Sequence, residues 1–510
     1  MTDPDAVDLL LTNARVIDPE TETDAVRHVG VHHGAIHSVG SEQSRMPRAA
    51  EVIDLSGSVL APGFIDLHSH SQTVNGLRFQ AMDGVTTALD LEAGVIPVAA
   101  TYAEAEDQGR PINFGYAANW LAARVSEIEG ITLEPNGNVK NGSASVLAAK
   151  QGLERWKYPA RPAVVDKILD RIAEGVVEGG IGVGVLVGYA PESGRVEMLR
   201  LARRAADLGV PLFVHGRYTE ADDPLAGVEG LLELIALAAA TDAHIHLCHI
   251  NSTYSLNADI VLDAIAQAQQ KGVRITTEAY PYHASSTVIG APFLAPEQME
   301  SRGKPASRIR YLKTGERVAD YRRLAQLRAE DPAGIVIKDY LDPDDPEQMG
   351  WLHQMVTFPG TVVASDAMLL QLEGRRTGHD LEEQWPVPEG AFAHPRTAGT
   401  FTRTLGHISR DLGLMPLSEA VARCSYLPAK ILEDFVPAMR RKGRIQPGCD
   451  ADITVFDAET VADRASFEQI AAAQGIEYVL VGGECVVRDG QLMESALPGR
   501  AIRSVPGQRA

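Results

Sequence analysis

The chain has 510 residues, of which 45% are hydrophobic and 23% charged, and its formal net charge is −21. This length exceeds one ordinary core, so we expect a large domain together with a smaller one. The acidic balance argues against nucleic acid or an anionic membrane as a partner.

The chain begins with an acidic segment, residues 1–8, which lacks the basic region of a signal peptide. No apolar stretch of about 18 residues predicts a membrane span. The four cysteines, Cys248, Cys424, Cys449 and Cys485, form no Cys-x-x-Cys pair, which is typical of a reducing compartment. We therefore expect a cytoplasmic protein. Whether it forms a homo-oligomer is left open.

Both ends of the chain have the pattern of short β-strands. The predicted strands are 7–16, 29–39 and 51–60 near the start, and 452–456, 478–481 and 484–488 near the end. The last two are joined at Gly482-Gly483, which indicates a hairpin. We predict that residues 1–60 and 441–510 combine into one small β-sandwich domain.

The middle of the chain alternates apolar β-runs with amphipathic helices, the pattern of an α/β fold with a parallel sheet. Candidate strands are 63–67, 86–91, 181–187, 211–214, 243–247, 274–278 and 361–364, with helices such as 163–178, 196–208 and 258–271 between them. About eight such units over residues 61–440 predict a (β/α)8 TIM barrel. Residues 286–350 break the rhythm with charged, proline-containing sequence, so we interpret them as an insertion able to cover the active site.

Histidines stand at the ends of the predicted barrel strands. The run from Gly63 ends in His68-Ser69-His70, and the alternation of a strand sends both imidazoles to the same side. Strand 211–214 runs into His215. Strand 243–247 contains His244 and His246 and is followed by Cys248-His249, and strand 361–364 by Ser365-Asp366. Because the carboxyl ends of barrel strands line one pocket, this set predicts a shared cation site, and imidazole ligands favour zinc.

Several motifs in this order carry a family resemblance. They are Ala61-Pro62-Gly63-Phe64-Ile65-Asp66-Leu67-His68-Ser69-His70, Gly84-Val85-Thr86-Thr87, Glu278-Ala279-Tyr280-Pro281-Tyr282, Ser365-Asp366, His394-Pro395-Arg396 and Lys442-Gly443-Arg444-Ile445-Gln446-Pro447-Gly448 followed by Asp450-Ala451-Asp452. With them the chain resembles the amidohydrolase superfamily over nearly its whole length. Within that superfamily it is similar to the N-acyl-D-amino-acid deacylases, or D-aminoacylases.

The resemblance implies a set of metal ligands for one or two Zn²⁺ ions. His68 and His70 would hold one metal position and His215 and His249 the other, while Asp366 would contact the metal and the attacking water. Residues 180–191 contain no lysine, which excludes the carboxylated-lysine bridge of some family members. The cysteine that deacylases use after strand 3 is also missing. Residues 89–93 offer two carboxylates instead, and we predict Glu92 as the bridge, with Asp90 as the alternative.

The resemblance also implies the reaction. We expect a zinc-dependent hydrolase of linear amide bonds that deacylates N-acyl-D-amino acids or related N-acyl amines. Metal-bound hydroxide would attack, and Asp366 would act as general base and then general acid. The metal or a tyrosine of residues 280–282 would polarise the carbonyl. Two alternatives stay open: a cyclic amidase (hydantoinase or dihydroorotase type) or deaminase on the same scaffold, and a non-catalytic scaffold protein.

The substrate-facing residues depart from the family pattern at one position. Asn251 stands where D-aminoacylases usually carry a lysine that helps to bind the substrate carboxylate. An asparagine offers no charge there, so Arg217, Arg375 and Arg376 are candidates to replace it. The predicted substrate-binding residues are Tyr189, Asn251, Tyr280, Tyr282, Ser286, Arg375 and Arg376. We expect Cys248 to be a buried, inert thiol.

Overall fold

A computed structural model describes residues 6–41, 43–44, 46–132, 153–217, 226–372 and 378–505 of the chain. Its strands, in chain order, are β1 (Val7–Asp18), β2 (Thr23–His32), β3 (Ala35–Gly40), β4 (Ala49–Asp54), β5 (Val59–Pro62), β6 (Phe64–Asp66), β7 (Val85–Val95), β8 (Asn113–Asn119), β9 (Val183–Leu186), β10 (Leu212–His215), β11 (Ile245–Leu247), β12 (Ile275–Ala279), β13 (Ala284–Val288), β14 (Ile309–Tyr311), β15 (Glu316–Arg317), β16 (Ile335–Asp339), β17 (Val362–Val363), β18 (Ile453–Phe456), β19 (Ile476–Val481), β20 (Glu484–Arg488) and β21 (Gln491–Leu492).

The helices lie mainly between the strands of the middle region. In chain order they are α1 (Val74–Met82), α2 (Val98–Gln108), α3 (Trp120–Glu129), α4 (Pro162–Val177), α5 (Arg195–Leu208), α6 (Ala226–Thr241), α7 (Ile250–Tyr254), α8 (Ala258–Gln270), α9 (Pro296–Ser301), α10 (Tyr321–Glu330), α11 (Pro346–Thr357), α12 (His379–Glu382), α13 (Arg396–Arg403), α14 (Leu417–Cys424) and α15 (Tyr426–Leu432). Within the described ranges, none of the helices is both long enough and apolar enough to cross a membrane.

Eight strands form the barrel, in the order β6-β7-β8-β9-β10-β11-β12-β17. All neighbouring pairs along this path are parallel. The two edges meet just beyond their last strands, where Ser69 and Ala367 form a parallel bridge and the His70 N–H donates to the Ala367 carbonyl at 2.9 Å. Because helices follow nearly every strand, this is an almost closed (β/α)8 barrel, and the predicted fold class is confirmed.

The third barrel strand, β8, is missing from the predicted strands. Its sequence, Asn-Phe-Gly-Tyr-Ala-Ala-Asn, mixes small and polar residues, although all seven are buried. The sequence of β8 therefore contains no continuous apolar run of the kind that predicts a buried strand. Consequently residues 89–93 lie on the second barrel strand, β7, and not after a third strand.

Both ends of the chain build one nine-stranded sheet from β1–β5 and β18–β21. Strand β5 joins the two ends, since it pairs in parallel with β1 and antiparallel with β18. Asp452, just before β18, links this sheet to the barrel: its Oδ2 accepts from Asn113 Nδ2 of β8 at 2.9 Å, and it also forms a buried ion pair with Lys442 Nζ at 2.5 Å. Division of the chain at residues 60 and 440 stays a prediction.

A second, smaller sheet is inserted between the last two barrel strands. Strands β13, β16, β14 and β15 pair antiparallel in that order. The sheet packs around a separate apolar cluster that includes Val288, Leu294, Leu324 and Ile337. It therefore forms a compact unit with its own apolar core. Its position at the barrel determines which of its side chains line the cavity at the ends of the barrel strands.

Candidate metal centre

A cavity opens at the carboxyl ends of the barrel strands. One end is lined by side chains that follow those strands: His70, Glu92, His215, His249 and Asp366. The walls come largely from the inserted sheet and its connections, and include Ser285, Ser286, Thr287, Phe293, Lys338 and Tyr340. The same cavity is therefore lined by the predicted ligands at the strand ends and by residues of the inserted segment.

The first group of potential ligands consists of His68, His70 and Glu92. The two Nε2 atoms are 3.1 Å apart, and Glu92 Oε2 is 3.1 Å from His68 Nε2 and 3.3 Å from His70 Nε2. Asp366 Oδ1 completes the group at 3.5 and 3.6 Å from the same two nitrogens. Tetrahedral zinc with ligand bonds of about 2.0 to 2.2 Å separates its ligand atoms by about 3.3 to 3.6 Å. The four atoms lie close to that spacing.

The second group shares Glu92 with the first. Glu92 Oε1 is 3.0 Å from His215 Nδ1 and 2.8 Å from His249 Nε2, and these two nitrogens are 3.2 Å apart. Each oxygen of one carboxylate thus faces a different pair of histidines. This is the arrangement of a bridging ligand between two cation positions.

Asp90, the alternative candidate for the bridging ligand, does not lie between the two histidine pairs. Asp90 Oδ1 is 3.1 Å from His70 Nδ1, the ring nitrogen on the far side from Glu92, and accepts from the Gly94 N–H at 3.2 Å. It therefore orients the His70 ring from behind. Successive side chains of a strand alternate, but Asp90 and Glu92 are two apart, so the sequence pattern alone does not separate their roles.

Asp366 is held by a buried arginine, Arg396, which belongs to the motif His394-Pro395-Arg396 but was assigned no role from the sequence. Arg396 Nη2 is 2.8 Å from Asp366 Oδ1, and its guanidinium lies 4.7 Å from the centre of the Tyr280 ring. The backbone of Asp366 has φ 51°, a left-handed conformation that is unfavourable for a residue with a side chain. His249, with φ 34°, shares this strain. Such strain persists where surrounding structure enforces it, as at functional sites.

Glu278 is the other residue missed from the sequence. Its Oε1 is 2.5 Å from His68 Nδ1 and accepts from the His249 N–H at 3.2 Å, while Oε2 is 3.0 Å from His246 Nε2. The motif Glu278–Tyr282 drew attention to this segment, but only the folded barrel brings Glu278 next to His68. A carboxylate behind a histidine is the usual support of a metal ligand.

The buried carboxylates around the histidines of the candidate metal centre favour positive charge there. Although burial opposes it, the carboxylates of Glu92 and Glu278 help to raise the pKa of His68 well above its ordinary value. Burial opposes charge on His70 too, yet Asp90 raises the pKa of that ring to about 10. Conversely, burial would raise the pKa of Glu92, but the surrounding histidines hold it well below its usual range. A cation here would be stabilised by the same carboxylates.

Cys248 is buried beside this group, as expected. Its thiol belongs to a cluster with His68 and Glu278. Burial, together with the charge of Glu278, raises the pKa of the thiol well above its ordinary value. The thiol therefore stays protonated and is a poor nucleophile.

Two of the predicted substrate-binding residues line the cavity, Tyr189 and Ser286. The Tyr189 hydroxyl is 2.7 Å from Thr287 Oγ1, and its ring centre is 5.2 Å from that of His215. Arg375 and Arg376 lie outside the described residues. Arg217 does not replace the missing lysine, because Glu233 binds its guanidinium at 2.7 and 2.9 Å.

Asn251, Tyr280 and Tyr282 are not among the described residues that line the cavity. The Asn251 amide donates to Tyr340 Oη at 2.8 Å and accepts from the Tyr280 N–H at 3.2 Å. The Tyr282 hydroxyl is 3.2 Å from Asp463 Oδ2. These three side chains are buried, the Tyr280 ring lies against the Arg396 guanidinium, and their roles in binding the substrate stay predictions.

The residues present fit zinc. Imidazole nitrogens and carboxylate oxygens are the ligands of zinc sites, and both groups bring them to the separations expected around a small cation. His68, His70, Glu92 and Asp366 would hold one ion, and Glu92, His215 and His249 a second. Residues from β7 and the ends of β6, β10, β11 and β17, far apart in sequence, supply them.

Comparison with known proteins identifies the class. A model of the amidohydrolase family matches residues 51–249 and 251–487, so the chain belongs to that family. An N-acyl-D-glutamate deacylase of Alcaligenes xylosoxydans xylosoxydans is 29% identical over 98% of this chain and 96% of its own length. A D-aminoacylase of the same organism is 27% identical, with 94% and 95% covered.

A solved structure shares the fold. N-acyl-D-glutamate deacylase from Bordetella Bronchiseptica, complexed with zinc and a phosphonate inhibitor, superposes with a TM-score of 0.73 and 24% identity. The comparison covers 98% of this chain and all of that one. The resemblance to the D-aminoacylase branch, drawn above from motifs, is therefore confirmed.

Proposed function

We propose that this amidohydrolase is a zinc-dependent deacylase of N-acyl-D-amino acids. The observation that carries the proposal is the position of Glu92, whose two oxygens face two separate histidine pairs at the end of a cavity. The names of the two relatives, which match over nearly the full length of this chain, support linear N-acyl-D-amino acids as the substrate class.

Asp366 is the residue that we assign to proton transfer. Its carboxylate lies at the cavity, next to His68 and His70, where an attacking water would sit. Arg396 fixes its orientation, with Nη2 2.8 Å from Asp366 Oδ1, and an ionised carboxylate is the form able to accept a proton. The same carboxyl can then deliver that proton to the leaving nitrogen.

Zinc, when bound, supplies Lewis acidity at the scissile carbonyl and lowers the pKa of the attacking water towards about 7. The protein holds the ligands in place: Glu278 supports His68, Asp90 supports His70, and the Thr253 hydroxyl, 3.0 Å from His249 Nδ1, supports His249. Fixing the far nitrogen of each ring leaves the other directed at the cation.

Two further assignments accompany this function. We propose that residues 286–350 cover the active site, which is supported by the cavity contacts of Phe293, Lys338 and Tyr340. We also propose a cytoplasmic location, supported by four cysteines that are all free.

The test is a substrate screen of zinc-loaded enzyme with matched N-acetyl-D- and N-acetyl-L-amino acids and cyclic amides, together with metal analysis. We expect zinc in the purified protein and hydrolysis that prefers the D series. Turnover of the cyclic amides alone would replace the proposal by a cyclic amidase. A protein that neither contains nor binds zinc would instead be a non-catalytic scaffold.

A further inference from the structure

Asp8, His32, His33 and His37 form a separate surface cluster on the nine-stranded sheet. Asp8, His32 and His33 each offer one potential ligand atom, and these atoms lie within 4.8 Å of one another. None of the four residues is among the described residues that line the cavity. The proposed hydrolysis therefore gives the surface cluster no role.

Asp8 and His32 face each other across two neighbouring strands. Leu9 of β1 pairs with Val31 of β2, and both side chains are buried. Because side chains alternate along a strand, the adjacent residues Asp8 and His32 lie together on the opposite, outward face. Asp8 Oδ1 is 3.2 Å from His32 Nδ1. This distance is close to the separation of about 3.3 to 3.6 Å between two ligand atoms of tetrahedral zinc.

His33 occupies the turn between β2 and β3. It has φ 50° and Gly34 has φ 77°, so the two residues form a two-residue hairpin turn, in which Asn and Gly are the usual residues. The His33 N–H donates to Asp8 Oδ2 at 2.7 Å, so one carboxylate oxygen is fixed while the other faces His32. The rings of His33 and His32 lie side by side, with centres 3.8 Å apart. The turn thus brings two imidazoles to one oriented carboxylate.

A β-bulge places His37 on the same side. Between residues 36 and 38 the pairing of β3 with β2 skips one residue, His37. A bulge redirects a side chain and is frequent next to functional sites. The ring of His37, an exposed residue, has its centre 6.0 Å from that of His32. His37 is therefore in position to supply a fourth ligand.

The types of ligand in the surface cluster select the cation. Imidazole nitrogens suit zinc, nickel and copper, whereas calcium and magnesium prefer oxygen ligands. The formal net charge of −21 also attracts cations to the surface of the chain. Three imidazoles and one carboxylate thus favour a divalent transition-metal ion.

We propose that the surface cluster is a second, peripheral binding site for a divalent transition-metal ion such as zinc or nickel. Binding there joins the start of β1 to the β2–β3 hairpin. The same hairpin contacts the other end of the chain, where the Ala451 N–H donates to the Gly34 carbonyl at 2.9 Å. The site therefore stabilises the sheet that both chain ends build, and it is independent of the proposed hydrolysis.

The experiment uses tag-free, zinc-loaded enzyme from which unbound zinc has been removed. Calorimetric titration with Ni²⁺ measures further binding, and zinc analysis afterwards shows whether the zinc of the candidate metal centre stays in place. His33→Asn removes one ligand, and asparagine tolerates the left-handed backbone of the turn. Asp8→Asn removes the carboxylate charge but keeps an oxygen for the His33 N–H. His379→Gln is the matched control, because His379 is an exposed histidine outside the surface cluster.

For the wild type we expect a single further Ni²⁺ per chain, a rise in Tm on its addition and unchanged hydrolysis. His33→Asn and Asp8→Asn should each bind Ni²⁺ at least about 10-fold more weakly, because even the loss of a contact behind a metal ligand has an effect of that size. Without Ni²⁺, His33→Asn should have the Tm of the wild type. His379→Gln should bind Ni²⁺ like the wild type.

Two results would overturn the peripheral site: no binding of Ni²⁺ by the zinc-loaded wild type, or equal binding by the wild type and both variants. Release of zinc in proportion to the nickel bound would also overturn it, because the nickel would then occupy the candidate metal centre. The proposed deacylase function is tested separately by the substrate screen.

Discussion

Glu278 lies directly behind His68, with its Oε1 2.5 Å from the Nδ1 of that ring. Because Nδ1 is engaged in this way, the opposite nitrogen, Nε2, is the one directed at Glu92, His70 and Asp366. The same carboxylate also contacts His246 and the backbone of His249. One acidic residue of β12 thus contacts the ends of two other strands, β6 and β11, around the candidate metal centre.

Replacing Glu278 by Gln should weaken zinc binding by about 10- to 100-fold, the usual effect of losing a carboxylate behind a metal-ligating histidine. Competition with a coloured chelator measures this affinity. Glu484→Gln, at an exposed position of β20, is the control and should bind zinc like the wild type. Unchanged affinity in Glu278→Gln would show that His68 does not need this support.

Glu92→Ala should lower the metal content of the purified protein more than Asp90→Ala. Glu92 faces both histidine pairs, whereas Asp90 contacts one ring from behind. Metal analysis after dialysis gives the ranking directly: we expect near-complete loss for Glu92→Ala and partial loss for Asp90→Ala. The reverse order would assign the bridge to Asp90.

Asp366→Asn should retain zinc and lose at least about 10²-fold in kcat, as expected when a general base is removed. Asn keeps the size and an oxygen near Arg396 but cannot accept the proton. Asp411→Asn, at a surface residue paired with Arg410, controls for the change of charge and should be fully active. Full turnover by Asp366→Asn would exclude Asp366 from proton transfer.

His244→Gln should make the metal-free protein less sensitive to acid. Burial, with the charges of His246 and Arg274, lowers the pKa of His244 from 6.5 to about 3. The unfolded chain therefore takes up a proton below pH 6.5 that the folded chain refuses, so stability present above pH 6.5 is lost as the pH falls towards 3.

Denaturant titrations in the presence of a chelator at pH 8 and pH 4 measure this effect. The destabilisation between the two pH values should be smaller in His244→Gln than in wild type by at least about 1 kcal/mol. The glutamine can still hydrogen-bond Thr276, which His244 Nε2 contacts at 2.9 Å. Identical losses in both proteins would contradict the lowered pKa.

The histidine ligands and Asp366 can be predicted from the sequence because each lies at or just after the end of a strand. His68 and His70 lie two residues apart at the end of an apolar run, and His215 comes at the end of another apolar run. Strand geometry therefore places all three at the carboxyl end of the barrel. Glu92 is predicted only indirectly, because the chain lacks both the lysine and the cysteine that bridge the metals in other family members. Only the folded structure separates it from Asp90, since Glu92 faces both histidine pairs and Asp90 contacts His70 from behind, where the pairing of β7 with β8 becomes irregular after Asp90.

Residues whose partners are distant in sequence were missed. Glu278 and His68 are separated by 210 positions, and they meet because closure of the barrel leaves only β17 between β12 and β6. Lys338 lies in the segment predicted to be a charged insertion, and its burial follows from the register of β16 against β13, which the sequence does not reveal. Strand β8 escaped because small and polar residues can be buried without forming an apolar pattern.

The ligands and the wall opposite them belong to separate stretches of chain. The inserted sheet, β13 to β16, enters after β12 and returns before β17, and it packs around its own apolar cluster. Exchanging this single segment between family members should therefore transplant substrate preference while the hydrolytic apparatus stays intact. The barrel would then keep the same catalytic residues in every family member, while the insertion could be exchanged, in evolution or by protein engineering, to change the substrate.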